Sequence, residues 1–346
     1  MKKVIALFLT MMLLLCCGVS AFADDVTVMR IAGTCNASEK VSEYLAMLEF
    51  EKLVEEYSGG TIDAQVYAAS QLGSGGEIAE GLMLGSLECG VLGLDNFQSY
   101  NDTVAVTSLP YIFENLDVVI DTLNGENEVG KIVYKSLLDE NNIRVLAGFP
   151  RGYRAIGISK RATGAGEDEV FTPADFKGLI IRTPGVKTIQ DVVASFGAQP
   201  VAVANAEIAT TLAQGGIDGI DYGFTELWGQ QWDGLKYVVE TNHAATDVVC
   251  MVSDSWFQGL TPEQQVAVTK AAKEAGEYRV SLLESDAERA HETLEGWGIK
   301  PIYGDSIDLD AFKACAEEIS QSWIGVYISQ ELYDLVMEVN AATSAG

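Results

Sequence analysis

Apolar positions recur along this chain in two rhythms, and their alternation predicts the architecture. Positions 26–32 are apolar on both faces, interrupted only by Thr27 and Arg30, which predicts a strand buried on both sides. After a polar turn at 33–38, Met47, Phe50, Val54 and Tyr57 fall at helical spacing, and Ser58-Gly59-Gly60 ends that helix. Ile62, Ala64 and Val66 alternate as a second strand, Gln71 to Glu77 is a loop opening a short helix, and Leu87 to Leu94 is a buried strand. Strands alternating with helices through short connections predict an open, parallel α/β sheet, whose ligands bind beyond the carboxyl ends of the strands. Here those ends are Ile31-Ala32 and Gly93-Leu94-Asp95.

The rigid turn Leu109 to Phe113 leads into a helix running through Leu138, then a strand at 143–147. Phe149-Pro150-Arg151-Gly152 reads as a crossing, because the pattern restarts after it. Ala155 to Ser159 is a strand, followed by strand 179–182, helix 185–195, strand 200–203, helix 206–213 and strand 217–221. Tyr237-Val238-Val239 and 248–252 read as strands on the way back to the first unit. Thr261-Pro262-Glu263-Gln264 starts a helix with a Thr cap and Pro in the first turn. Nothing stops it before Gly296, although Gly276 is a place to bend, and about 35 residues span on the order of 50 Å. Such a helix reaches across both units, and 309–339 is helical again.

Composition adds an address and a constraint. Lys2 and Lys3, the apolar run 4–19 and Ala21-Phe22-Ala23 read as a cleavable secretory signal, 1–23, with lipid attachment at Cys16 or Cys17 as the rival. Cleavage removes two lysines and no acid, so the formal charge of −28 becomes −30. That excludes nucleic acid and anionic membrane surfaces as partners, and any anionic ligand needs a local basic pocket. Of the four cysteines left, Cys89 and Cys250 lie in apolar runs and read as buried thiols, while Cys35 and Cys315 carry no pairing signal. Two units fit roughly 320 mature residues: 24–150 with 240–275, and 151–239 with 276–346, which takes in the C-terminal helices.

Candidate chemistry is sparse. The chain has two histidines, His243 and His291, and no zinc, Walker, nucleophile-elbow or EF-hand spacing, so neither metal nor cofactor nor catalytic residue is expected. Asp308-Leu309-Asp310 reads as a helix start and Gly73 to Gly76 as a turn. Two of the eight arginines are distinctive. Arg182 leaves the end of the apolar run 179–181, where its forked donors suit a carboxylate, and Arg154 sits beside another strand of the same unit. An ion pair on the surface is the competing use of each. Tyr222, Phe224 and Trp228 follow the last strand of that unit, and Phe97 follows a strand of the first; core packing would satisfy all four.

An ordered series of segments resembles a known family. It comprises SGGTIDAQVYAASQLG at 58–73, LGSLECGVLG at 84–93, SLPYIFEN at 108–115, RGYRAIGISKR at 151–161 and TPADFKGLIIRTP at 172–184. FGAQPVAVANAEI at 196–208, LAQGGIDGIDY at 212–222 and 241–265 complete it. The series resembles the extracytoplasmic solute-binding subunit of tripartite ATP-independent periplasmic (TRAP) transporters, DctP type. The resemblance implies a two-lobed periplasmic-binding-protein fold with open mixed sheets, a cleft that closes on ligand, and a long helix bracing both lobes. It implies a monomer that captures a small organic carboxylate and delivers it to membrane subunits.

Carried over by position, Arg182 is the arginine that pairs with the ligand carboxylate and Arg154 a second pocket arginine. Tyr222 stands where relatives that bind sialic acid often have asparagine, and Asn205 where an aromatic can line the pocket. Ala32, Gly75, Gly93 and Leu94 fall at positions facing the pocket in the first lobe, and Asp221 beside Tyr222 joins the set. No sugar-type hydrogen-bonding set stands out among them. Two alternatives use the same scaffold: a sensing protein feeding a receptor or kinase, and an exported enzyme, for which His243 or Asp221 would be the base.

Overall fold

The computed structural model describes residues 26–229 and 231–344, so the signal segment 1–23, with Cys16 and Cys17, lies outside them. Two sheets carry the chain. The first has strand order β2-β1-β3-β10-β4, from β1 (Thr27–Gly33), β2 (Ile62–Tyr67), β3 (Cys89–Gly93), β4 (Ile143–Gly148) and β10 (Val248–Ser253). The second has order β11-β9-β5-β8-β6-β7, from β5 (Arg154–Ile158), β6 (Ile180–Thr183), β7 (Gln199–Ala202), β8 (Gly219–Gly223), β9 (Tyr237–Val239) and β11 (Lys300–Ile302). Both are mixed: β10 runs antiparallel to β3 and β4, and β5 antiparallel to β8 and β9. The architecture is the α/β pair with open mixed sheets that the alternation implied. One strand moves, because β9 stays in the second sheet beside β5 and only β10 returns to the first.

Burial on both faces explains the unbroken apolar run of β10. Val249 and Met251 enter one core with Leu92, Val118 and Ile143; Val248, Cys250 and Val252 enter another with Met29, Ile31 and Phe50. A strand with a core on each side has no position left for a polar residue. On the second core, helix Ser42–Tyr57 packs Met47, Phe50 and Val54 against Val268, Ala271 and Ala275 of helix Pro262–Ser281. Fully burying each larger chain contributes about 1.5–3 kcal/mol. Cys35, Cys89 and Cys250 are buried free thiols, and Cys315 is half-buried and free.

Three helices expected to run on are broken. The helix expected through Leu138 is two, Leu116–Leu123 and Glu128–Asn141, because Gly125 takes a positive φ of 67° and Asn127 caps the second. The C-terminal helix is also two, Leu309–Trp323 and Gln330–Ser344, with Gly325 at φ 81° between them. The long helix breaks at Leu282, giving Pro262–Ser281 and Leu283–Gly296, and its start is a complete capping box of Thr261 and Gln264. Gly276 does not bend it. A Cβ there would sit 2.7 Å from the Gly148 carbonyl oxygen, so glycine lets the helix lie on the end of β4.

The broken helix still spans both lobes. Its first half packs on helix Ser42–Tyr57 and β4, its second on helix Phe224–Leu227 and β11. The C-terminal helices divide rather than sharing one lobe. Leu309–Trp323 packs on helix Lys187–Ser195, while Gln330–Ser344 packs on Leu116–Leu123 and Glu128–Asn141, with Asn340 donating to the Ile112 carbonyl at 2.7 Å.

Candidate functional site, an interlobe cleft with an unpaired arginine

A cleft of about 660 Å³ lies where strands of both sheets end. Register accounts for the convergence. Parallel pairing of β6 with β8 sets Arg182 beside Ile220, and antiparallel pairing of β5 with β8 sets Arg154 opposite Gly223. Both arginines therefore emerge at one edge of the second sheet, facing Gly93 at the end of β3.

Arg182 is 3% exposed, and every partner it has is neutral. Nε donates to the Val203 carbonyl at 2.8 Å, one terminal nitrogen to the Asp221 carbonyl at 3.3 Å, and the other to Asn205 Oδ1 at 2.5 Å. Its guanidinium lies 5.6 Å from the centre of the Tyr222 ring. A guanidinium has five N–H donors, so each terminal nitrogen keeps one without a protein acceptor among the described residues. Burial drives Arg182 down to about 10, against the pull of Tyr222 and Asp221, and it remains a cation at neutral pH. A buried cation without a carboxylate partner is costly unless an anion arrives.

Arg154 is already neutralised. Nε reaches Asp221 Oδ1 and Oδ2 at 3.0 and 3.1 Å, and a terminal nitrogen reaches Oδ2 at 2.6 Å. Asp221 is 0% exposed and lies 3.2 Å from His243 Nε2. Burial opposes its ionisation, but Arg154 and His243 outweigh that and hold it well below the usual carboxylate range.

From the wall of the cleft Arg151 pairs with Glu43 behind it, beside Glu226 and the Arg279–Asp286 pair. Burial, with Glu43 and Asp286 adding to it and Arg151 and Arg279 opposing it, pushes Glu226 up to about 7. A carboxyl raised on folding holds its proton more tightly in the native state. The stability it contributes is present below about pH 4.3, its unfolded value, and is lost as pH rises through about 7. Glu226→Gln is therefore expected to raise Tm more at pH 8 than at pH 5. The difference is a few degrees, for about 1–2 kcal/mol, read by calorimetric scans at the two pH values.

Of the expected site residues, Arg182, Arg154, Tyr222, Asn205, Gly93 and Gly75 line the cleft. Asn205 also bridges it, holding Arg182 with Oδ1 and donating from Nδ2 to the Thr34 carbonyl at 3.3 Å. Gly75 is needed there, since a Cβ would sit 2.1 Å from Asn96 Oδ1. Three do not reach the wall. Ala32 and Leu94 belong to the core of the first lobe, and the Asp221 side chain turns toward Arg154 and His243. His243 is fully buried away from the cleft, so neither proposed base faces it. His291 pairs with Glu240 at 2.6 Å and stacks on Tyr303.

Sequence reasoning missed Arg151, Asp95, Asp247, Thr246 and Gln98 on the wall. Asp95 stood at a strand end already marked as a ligand edge; Asp247 carried no signal. Gln98 accepts from Thr188 N and Oγ1, both at 3.3 Å, and so closes the lobes on each other.

A family model described as bacterial extracellular solute-binding protein, family 7 (DctP), matches residues 33–325. The 2,3-diketo-L-gulonate-binding periplasmic protein YiaO of Escherichia coli K12 is 26% identical over 297 residues, covering 85% of this chain and 87% of that one. The C4-dicarboxylate-binding periplasmic protein DctP of Rhodobacter capsulatus is 26% identical over 259 residues, 72% of each chain. Among solved structures, a TRAP periplasmic solute-binding protein of Xanthobacter autotrophicus Py2 with bound β-D-galacturonate superposes with a TM-score of 0.80 at 22% identity, covering 90% of this chain and 99% of that one. One of Fusobacterium nucleatum with sn-glycerol 3-phosphate gives 0.83 at 19%, covering 92% and 98%.

Proposed function

Because the chain belongs to the bacterial extracellular solute-binding protein family 7, the DctP family, we propose that it captures a small organic carboxylate between its lobes and delivers it to the membrane subunits of a TRAP transporter. The observation that carries this reading is Arg182: buried, charged, and lacking the carboxylate that the buried Arg151, Arg154 and Arg161 each have. A ligand carboxylate takes the remaining N–H of each terminal nitrogen as a two-pronged pair. Arg154 lends field rather than charge, since Asp221 already balances it. As the lobes close, the low dielectric of the emptied cleft strengthens the ion pair, and ligand binding favours the closed state by that difference.

Several relatives support the ligand class, since their names and bound molecules include diketogulonate, C4-dicarboxylate and galacturonate. No helix among the described residues is long and apolar enough to cross a membrane. We place the mature chain outside the cytoplasm on the strength of the signal pattern at 1–23. The two bases that the enzyme alternative named, His243 and Asp221, are turned away from the cleft.

A thermal-shift screen of the mature chain against organic acids tests the reading. An acid at 100 times its Kd is expected to add about 2.7 kcal/mol, a shift of several degrees. A panel in which only ligands without a carboxylate stabilise the protein would sink it.

A further inference from the structure

We propose that the ligand is a monocarboxylate that also carries hydrogen-bond donors, hydroxyl or ammonium, received by Asp95 and Asp247, and that this acidic pair excludes dicarboxylates. The inference rests on the Arg182 reading and deepens it. Asp95 follows β3 and Asp247 precedes β10, and the antiparallel register of these strands sets Val248 opposite Gly93. That register brings two carboxylates to one spot. Asp95 Oδ1 and Asp247 Oδ1 lie 2.5 and 3.1 Å from where a Cβ on Gly93 would sit, so glycine is what makes room for both.

Both acids line the cleft, and they are 8% and 3% exposed. Their protein donors leave acceptor capacity over. The Thr107 and Ser108 hydroxyls donate to Asp247 Oδ2 at 2.5 and 3.4 Å, and Oδ1 receives no side-chain donor. Asn96 Nδ2 donates to Asp95 Oδ1 at 2.7 Å. No lysine or arginine forms an ion pair with either among the described residues. A second observation points the same way: Thr246, 4% exposed and on the same wall, has a hydroxyl with no partner.

Buried acceptors beside an unpaired hydroxyl are satisfied by donors, whereas a second ligand carboxylate would meet the net negative charge left on the pair. Burial raises both carboxyls; Asp95 adds to this at Asp247, which reaches about 7 against the pull of Arg154, and Arg154 and Arg151 restrain Asp95 against Asp221. Near neutrality Asp247 is therefore partly protonated. Hydroxyls fit that arrangement unchanged, while an ammonium would displace the proton.

Calorimetry on the mature chain separates the cases, with gluconate and galacturonate as hydroxylated monocarboxylates, glutamine as the ammonium-bearing one, and succinate and glutarate as dicarboxylates. The tightest binder is expected among the first three, by about tenfold or more over either dicarboxylate. Asp247→Asn should weaken it about 10- to 100-fold. Repeating the titration in buffers of different ionisation enthalpy identifies the source of the donors, since glutamine would release a proton and gluconate would not. A dicarboxylate binding as tightly as the best donor-bearing acid overturns the proposal. So does failure of all three donor-bearing acids to bind, or unchanged affinity in both Asp95→Asn and Asp247→Asn. Arg182→Ala keeps the two ideas apart. If it abolishes binding while the Asp variants do nothing, the clamp stands and the donor end falls; a tight binder indifferent to Arg182→Ala is the failure of the clamp.

Discussion

Arg182→Ala is expected to weaken binding of the carboxylate ligand by roughly 2–5 kcal/mol, about 30- to several-thousand-fold, as for other buried charge pairs. The loss is large because two contributions vanish together. The variant removes the only arginine of the cleft not already balanced by a carboxylate, and it removes the two N–H groups that would meet both carboxylate oxygens. Arg182→Lys separates the contributions, keeping a positive charge without the fork, and should fall between wild type and alanine. Stability of the ligand-free protein should change little in either variant. The buried guanidinium is itself costly to hold there; of the three acceptors it leaves, Val203 O and Asn205 Oδ1 border a cleft that water can enter, and the Asp221 carbonyl made the longest bond, 3.3 Å. Titration calorimetry with an acid found by the thermal screen reads the affinity, and wild-type affinity in Arg182→Ala would remove it from the site.

Arg154→Ala should do the opposite, costing fold stability more than it costs affinity. It strands Asp221, a fully buried carboxylate, and breaking such a pair from one side costs about 3–5 kcal/mol. That corresponds to a fall in Tm of about 6–20 °C. Adding Asp221→Asn should recover much of it, because the stranded charge goes with the substitution. The pH dependence carries a sign. In wild type the Asp221 pKa is depressed, so its contribution is present above about pH 3.9, its unfolded value, and is lost as pH falls through the folded one. Without Arg154 the same carboxyl is raised by burial, so its penalty grows as pH rises. The Tm deficit of Arg154→Ala should be larger at pH 7.5 than at pH 5, with His243, 3.2 Å away, limiting its size. A deficit independent of pH would mean that Asp221 is not the cause.

The fold was legible wherever burial was two-sided or a cap was complete. β10 announced itself as an unbroken apolar run, and Thr261 to Gln264 fixed a helix start to the residue. The helix breaks were harder, since Gly125 and Gly325 act through a positive φ that a hydrophobic pattern does not display, and Leu282 through a turn with no sequence marker. At the site, Arg182 was readable because a lone cation at the end of an apolar strand is unusual. Asp221 was misjudged in orientation: period 2 along β8 sends Tyr222 to the cleft and its neighbour to the other face. Asp247 was invisible for a different reason. Its meaning comes from lying next to Asp95, and that proximity exists only once strands more than 150 positions apart have paired.

The place of β10 has a consequence for how the molecule can be divided and made. Residues 248–253 fill the fourth position of the first sheet, between strands that end at 93 and 148, after the chain has already built most of the second sheet. A gene fragment stopping near residue 240 would encode four of the first sheet's five strands without the one that joins β3 to β4, and should yield insoluble product rather than a half-molecule. Supplying 241–344 as a separate polypeptide restores the missing strand, so co-expression of the two pieces is the sensible way to split this protein. During synthesis the same arrangement delays closure of the first sheet until late, and contacts this distant in sequence are slow to form.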